Sequence, residues 1–300
     1  MKKVLLIGST GLVGSRVKEL LSSKFKFITP DENELNLLDP KGLTSFINKH
    51  KPDSIINFAA YTNVGEAENQ TGDKQGLCWQ LNVVGVNNLL KSINKTTQFI
   101  HISTDMVFSG DKKDPGPYKE NSPLPNSPDK LTWYGWTKNR GEELVRKAGH
   151  NVVRIIYPVR ANFERPDYLR FPLRKLREGN LYPLFADQQL TITYIDELAQ
   201  ALSVVINKNL TNDTFHICSS NTGTSMDIIK TAFNKLNIDT QQIKSALLTE
   251  YLSKQKNPYR YLVFGGLDTK ETEKELGLKF STWQEIIDKL IKQGLTLKNA

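Results

Sequence analysis

A chain of 300 residues, 38% hydrophobic and 24% charged, is long enough for one large core or two modest ones. No apolar run is long enough to cross a bilayer, and the opening "MKKVLLIGSTGLVG" is too short in its apolar part for a signal peptide. The net charge of +8 comes from scattered lysines with no long basic block, which argues against nucleic acid and suits a small anionic ligand.

In chain order, "KKVLLIG" reads as a buried strand ending in glycine, and Leu12, Val13, Val17, Leu20 and Leu21 recur at helical spacing after it. "FKFIT" is a short second strand. Asp39 followed by Pro40 is the start signal of a second helix. "DSIINFAA" is a third apolar strand, "CWQLNVVGVNNLLKSIN" a long amphipathic helix, and "TQFIHISTD" another buried strand. Nearly all-apolar strands alternating with helices predict an α/β fold, a Rossmann-type doubly wound parallel sheet. The polar, proline-rich stretch "SGDKKDPGPYKENSPLPNSPDK" suits an exposed loop before the next helix.

Gly8-Ser9-Thr10-Gly11-Leu12-Val13-Gly14 joins the first strand to the first helix. Gly8 suits the tight turn, Gly11 a close approach of backbone to a diphosphate, and Gly14 close helix–strand packing. Thr10, Leu12 and Val13 fall where helix N-terminal amides face phosphates. This is a dinucleotide cradle. The spacing leaves the choice of cofactor open: Asp31 and Glu32 lie beyond the second strand in a loop, and Arg16 follows the glycine turn. NADP(H) is therefore preferred and NAD(H) is the alternative, with Arg16 as an ordinary solvated residue equally open.

Ser103, Thr104 and Asp105 end the fourth strand, and a parallel sheet delivers such residues to its ligand crevice. About thirty residues later, "LTWYGWTKNRGEELV" places Tyr134 and Lys138 at i and i+4, on one face of a helix. A phenol titrates near 10, so proton exchange near neutrality needs a shift of about two or three units. A nearby ammonium in a dehydrated cleft can supply much of it. His101 and His216 read as core histidines. The two cysteines, Cys78 and Cys218, have neither disulfide density nor metal spacing, so no metal site is expected and a reducing cytoplasm fits.

The glycine loop, "PDSIINFAAYTNVGEAE", "LNVVGVNNL", "HISTDMVFSG" and "YGWTKNRGEE" together resemble the extended short-chain dehydrogenase/reductases, and specifically the dTDP-4-dehydrorhamnose reductase family. "DQQLTITYIDELAQAL" and "LDTKETEKELGLK" match more loosely, so the resemblance spans nearly the whole chain. It implies an NADPH-dependent reduction of the 4-keto group of a nucleotide-activated 6-deoxysugar. Thr104 would polarise the ketone, Tyr134 would protonate the developing alkoxide, and Lys138 would lower the phenol's pKa and hold the nicotinamide ribose. Asn57, Ala59, Ala60, Asn82 and Ser103 would line the cofactor, and Asp39 would sit near the adenine unless it caps its helix. Asp105, Val107 and Tyr157 would face the sugar. The related dehydratases carry a glutamate where this chain has Met106, which favours a simple ketoreductase.

The departures fall in the second half. "RIIYPVR" lacks a glycine after the aromatic, Leu190 and Ile192 replace glycine and proline, and Arg260 is displaced from its motif. Arg16 stands where some dimeric members have a metal-binding glutamate, so a homodimer stays open. Residues 1–157, with sheet continuation at about 190–220, read as the NADP(H)-binding domain, and 158–300 mainly as a smaller substrate-binding lobe whose helices include "YLRFPLRKLREGN", "SMDIIKTAFNKLNI" and "TWQEIIDKLIKQG". The alternatives are another sugar-nucleotide reductase or epimerase, or a non-catalytic NADP-binding regulatory subunit resembling that of methionine adenosyltransferase.

Overall fold

The computed structural model describes residues 1–241 and 243–300. The first strand, β1 (Lys3–Ile7), buries Val4, Leu5, Leu6 and Ile7. Helix α1 (Leu12–Leu21) follows the glycine turn and turns Leu12, Val17 and Leu21 inward. After β2 (Lys26–Ile28), α2 (Pro40–His50) begins as its sequence predicts: Asp39 accepts a hydrogen bond from the Lys41 amide, and Pro40 occupies the first turn. Strand β3 (Ser54–Asn57) and the short helix α3 (Val64–Glu68) come next.

The expected long helix near residue 80 is not uniform. It is built from α4 (Leu77–Trp79), a π-helical segment (Gln80–Gly85) and α5 (Val86–Ser92). The wider turn carries Asn82, whose amide is wholly engaged: its oxygen accepts from the Tyr61 amide (2.9 Å), and its nitrogen donates to the Tyr61 carbonyl and the Thr137 hydroxyl (2.9 Å). Strand β4 (Gln98–Thr104) is buried along its length. Helix α6 (Trp133–Lys147) starts at Thr132, which accepts from the Gly135 amide. Strand β5 (Asn151–Ile155) and the strand Thr214–His216 complete the sheet.

The sheet order is Thr214–His216, β5, β4, β3, β1, β2, a parallel sheet of six strands with connecting helices. Register places Ile7 opposite Asn57, and Asn57 opposite His101. The strand ends after β1, β3 and β4 thus come side by side, which is where an open parallel sheet binds ligands. The core joins Leu5, Ile7, Leu43, Ile47, Ile55, Val86, Leu89, Phe99, Val145 and Val152.

The chain divides into two compact units. The first comprises residues 1–108, 123–154 and 199–215, and holds the sheet and α1–α6. The second comprises 109–122, 155–198 and 216–300. Within the second, Pro158–Val159 pairs with Thr193–Tyr194, Gln189–Leu190 with Gly223–Thr224, and Leu184–Phe185 with Ser245–Ala246. Its helices include the three expected from sequence, Arg170–Arg177, Ser225–Lys235 and Trp283–Lys292. Leu190 and Ile192, the replacements for glycine and proline, are fully buried. No described helix is long and apolar enough to cross a membrane.

One charge pair is part of the first unit's core. Glu142 on α6 and Arg154 on β5 are both fully buried, with Arg154 Nη2 2.7 Å from Glu142 Oε2 and Nε 3.0 Å from Oε1. The guanidinium also lies 4.9 Å from the Phe108 ring centre. Removing one partner strands a buried charge, so Arg154→Met should lower the unfolding free energy by about 3 kcal/mol in denaturant titration. Arg146→Met, which removes the half-exposed second partner at 3.3 Å, should cost under about 1 kcal/mol.

Candidate active site

Helix α6 turns Tyr134, Lys138, Gly141, Glu142 and Val145 inward, so the tyrosine and lysine belong to its buried stripe rather than to a solvated face. The start of that helix presses against the turn after β4. A Cβ at Gly135 would stand 2.1 Å from the Met106 carbonyl oxygen, so only glycine permits the approach. The approach brings Tyr134 against Thr104 and Asp105. Tyr134 also packs in a cluster with Ala67, Cys78 and Trp133.

Tyr134 is 8% exposed, Thr104 9% and Asp105 5%. The Thr104 hydroxyl donates to Asp105 Oδ1 at 3.1 Å and accepts from the Met106 amide at 3.2 Å. Burial pushes the Asp105 carboxyl up to about 7, although the Thr104 hydroxyl and backbone amides pull the other way. Burial likewise raises the Tyr134 phenol above its ordinary value; the charges of Asp105 and Cys78 add to the rise, and a hydrogen bond with Thr104 opposes it.

The groups that shift the phenol do not include Lys138, which was expected from sequence to act on it. Lys138 is 2% exposed, and its Nζ lies 2.7 Å from the Ile102 carbonyl oxygen and 3.0 Å from His101 Nε2. Burial brings it down to about 8, against the pull of Glu142 and Cys78. His101, read from sequence as a core histidine, is therefore in contact with the predicted lysine. The signal was alternation: His101 and Ser103 share one face of β4, two polar residues at the ligand end of a buried strand.

The upstream cradle is built as its spacing suggests. Gly8 has φ 79°, and a Cβ on Gly14 would lie 2.3 Å from the Gly8 carbonyl oxygen. At Gly11 a Cβ would meet only the Gly8 oxygen, at 3.6 Å, so the outer face of the turn is open. No side-chain hydrogen bond caps α1, whose N-terminus follows directly on the glycine turn. Thr10 and Gly11 are exposed, Val13 is partly so, and Leu12 is core. Ser103 Oγ is buried without a hydrogen-bond partner among the described residues. Ala59 and Ala60 are partly exposed beyond β3, and the Ala59 amide donates to Asn57 Oδ1 at 3.1 Å. These features fit a bound dinucleotide.

Other expected residues are placed differently. Asp39 caps α2, the second of its two readings. Asn82 is 1% exposed with its amide engaged internally, so it acts as a clamp between Tyr61 and α6. Val107 has no exposed surface; the expected sugar contact is replaced by core packing, because the turn after β4 folds this side chain inward. In the second unit, Tyr157 has φ 40°, lies 4.3 Å from Tyr168 between ring centres and accepts a hydrogen bond from Gln188 Nε2 at 3.3 Å. Among the described residues, no group of three or more His, Cys, Asp or Glu is placed to hold a metal ion.

The chain matches the family model described as the RmlD substrate binding domain over residues 1–296. It is 25% identical over 295 residues to the spore coat polysaccharide biosynthesis protein SpsK of Bacillus subtilis, covering 98% of each chain. It is also 25% identical over 300 residues to dTDP-4-dehydrorhamnose reductase of Aggregatibacter actinomycetemcomitans, covering 96% of this chain and 97% of that one. Among solved structures it resembles dTDP-4-dehydrorhamnose reductase of Bacillus anthracis in complex with NADP, with TM-score 0.82, 20% identity, and 97% and 99% of the two chains covered.

Two measurements check this geometry. Gly14→Ala should abolish dinucleotide binding at this turn, tested with NADPH by quenching of protein fluorescence, because the added carbon displaces the turn. Asp105 keeps its proton longer when folded than when unfolded, so its burial costs nothing near pH 4 and its full amount above about pH 7. Asp105→Asn should therefore be more stable than wild type by a few kcal/mol at about pH 8 and equal to it near pH 4, in thermal or denaturant unfolding.

Proposed function

Because the chain belongs to the RmlD substrate-binding-domain family, we propose that it is an NADPH-dependent oxidoreductase reducing the 4-keto group of a nucleotide-activated 6-deoxysugar. The observation that carries the proposal is the buried meeting of Tyr134 with Thr104 and Asp105 at the end of β4, with Lys138 one turn along α6. The curated relatives named as dTDP-4-dehydrorhamnose reductases support the substrate class, and the NADP complex of the solved relative supports the cofactor.

When bound, the nicotinamide supplies the hydride. The chain supplies the rest. Thr104 can turn its hydroxyl proton from Asp105 Oδ1 to the ketone oxygen, which fixes the carbonyl and polarises it. Tyr134, kept neutral by burial, holds the proton that this oxygen needs as it becomes an alkoxide. The phenolate left behind gains from positive charge at Lys138, four residues along the helix and also out of water. Met106 offers no proton beside this pair, in keeping with reduction at one carbon and no elimination at the next.

NADPH rather than NADH is favoured by the end of β2. Asp31 Oδ1 is engaged by the Asn33 and Glu34 amides at 2.9 Å each, whereas Lys18 Nζ reaches Thr29 Oγ1 at 3.3 Å. A cation there suits a 2′-phosphate. Gly8, Gly11, Gly14, Thr10, Ser103, Ala59 and Ala60 would hold the cofactor. Asp105 is the residue proposed for the sugar.

The test is oxidation of NADPH and NADH in the presence of a panel of 4-keto-6-deoxy sugar nucleotides, followed by cofactor absorbance. Turnover is expected with at least one member and faster with NADPH. Tyr134→Phe should lose about a hundredfold or more in kcat while still binding NADPH. Equal oxidation by wild type and Tyr134→Phe defeats the catalytic assignment; NADPH binding with no turnover on any member points instead to a regulatory role.

A further inference from the structure

Helix α6 does not satisfy its own start. Its N-cap, Thr132, accepts from the Gly135 amide through its hydroxyl and from the Trp136 amide through its carbonyl. The amide of Trp133, the residue before Tyr134, finds no partner within the helix. That partner comes from 65 residues away: Glu68, the last residue of α3, sets its Oε1 2.7 Å from the Trp133 nitrogen. The distance is that of a strong N–H···O bond, and an acidic side chain is the kind a helix N-terminus favours.

The same short stretch serves a second helix. The N-cap of α4, Gly76, has no side chain to offer, and the Cys78 amide instead donates to Gln70 Oε1 at 2.9 Å. Two helix starts are thus fastened to the end of α3. Between them Trp79 of α4 stacks on Trp133 of α6, ring centres 5.7 Å apart. Ala67, Cys78, Trp133 and Tyr134 pack as one cluster beside these bonds. We infer that Glu68 is a positioning residue, its bond to the Trp133 amide fixing the first turn of α6 and through it the place of the Tyr134 phenol beside Thr104.

The other restraints on this turn leave that work to Glu68. The bonds of Thr132 are local to α6 and travel with it. Lys138 ties the middle of the helix to the Ile102 carbonyl, one turn after Tyr134. Contact of Gly135 with the Met106 carbonyl limits how near the helix start comes to the turn after β4, but a contact does not hold it there. The groups whose charge shifts the Tyr134 phenol are Asp105 and Cys78, and Glu68 is not one of them, so its effect is on place. Since α3 follows β3 through Ala59 and Ala60, the bond also joins Tyr134 to the segment proposed to line the cofactor.

The inference rests on the proposed reductase activity only for its consequence in turnover, so two measurements separate them. The first needs no substrate: amide hydrogen exchange at Trp133 in the full-length protein. Glu68→Ala should speed it by about tenfold or more, with the β4 amides affected less. Glu68→Gln, whose amide oxygen can accept the same bond, should stay within about threefold of wild type. Unchanged exchange at Trp133 in Glu68→Ala, or equal acceleration in β4, overturns the inference. The second compares kcat and KM on whichever sugar nucleotide the wild type reduces, at a temperature where every variant is folded. Glu68→Ala should lose about tenfold or more in kcat, with KM and the NADPH dissociation constant changed less than about threefold, and Glu68→Gln should recover most of the loss. Thr282→Ala removes the cap of Trp283–Lys292 in the second unit and should leave kcat unchanged, which controls for lost stability. A kcat untouched by Glu68→Ala, or lowered as far by Glu68→Gln or Thr282→Ala, also overturns it. If no sugar nucleotide is reduced, the function proposal fails and the exchange rates still decide this one.

Discussion

A lysine cannot be taken out of water without finding partners for its head group, and Lys138 is almost entirely out of water. That constraint explains much of what surrounds it. The Ile102 carbonyl and the His101 ring both come from β4, which ties the middle of α6 to the sheet. Asn57 then ties the ring to β3, and Ala59 ties Asn57 to the segment beyond. A charge-bearing side chain has become a spacer that fixes the height of a helix above a sheet, and Tyr134, one turn earlier, takes its position from the same attachment.

Burial acts in a useful direction on the pair proposed to react. A phenol whose pKa is raised stays protonated at neutral pH and so remains a proton donor, and a neighbouring carboxyl pushed up to about 7 adds less negative charge beside the developing alkoxide than an ordinary aspartate would. The penalty falls on the phenolate once the proton has gone. Positive charge at Lys138 would relieve it, so the state of the lysine matters more after proton transfer than before. The contact between Gly135 and the Met106 carbonyl sets the distances on which these effects depend.

The sheet was readable from the sequence because its strands are nearly all apolar and each is followed by a recognisable helix start. Asp39 with Pro40 is the clearest case, and the structure finds the cap there. The glycine loop and the Tyr134–Lys138 spacing were legible for a related reason, since both are local patterns. What could not be read depended on packing at long range. Whether Asn82 faced a ligand or a neighbouring helix was set by the π-helical turn, which leaves no mark in hydrophobic periodicity. Val107 lies one turn past a functional strand end, yet only the fold of that turn shows that it points into the core. His101 looked inert because a lone histidine in an apolar run usually is, and its importance comes from a lysine about forty residues away in the chain.

The π-helical turn also means that chain length is itself a determinant of the site. Gln80–Gly85 accommodates an extra residue compared with a regular α-helical path between the same ends. A one-residue deletion there could let α4 and α5 join as an ordinary helix with both flanks kept in phase, leaving the sheet undisturbed. The clamp between Tyr61 and Thr137 would be lost, and with it the lateral support of α6 beside Tyr134. Such a shortened chain would be well folded and poorly ordered at the place proposed for the chemistry.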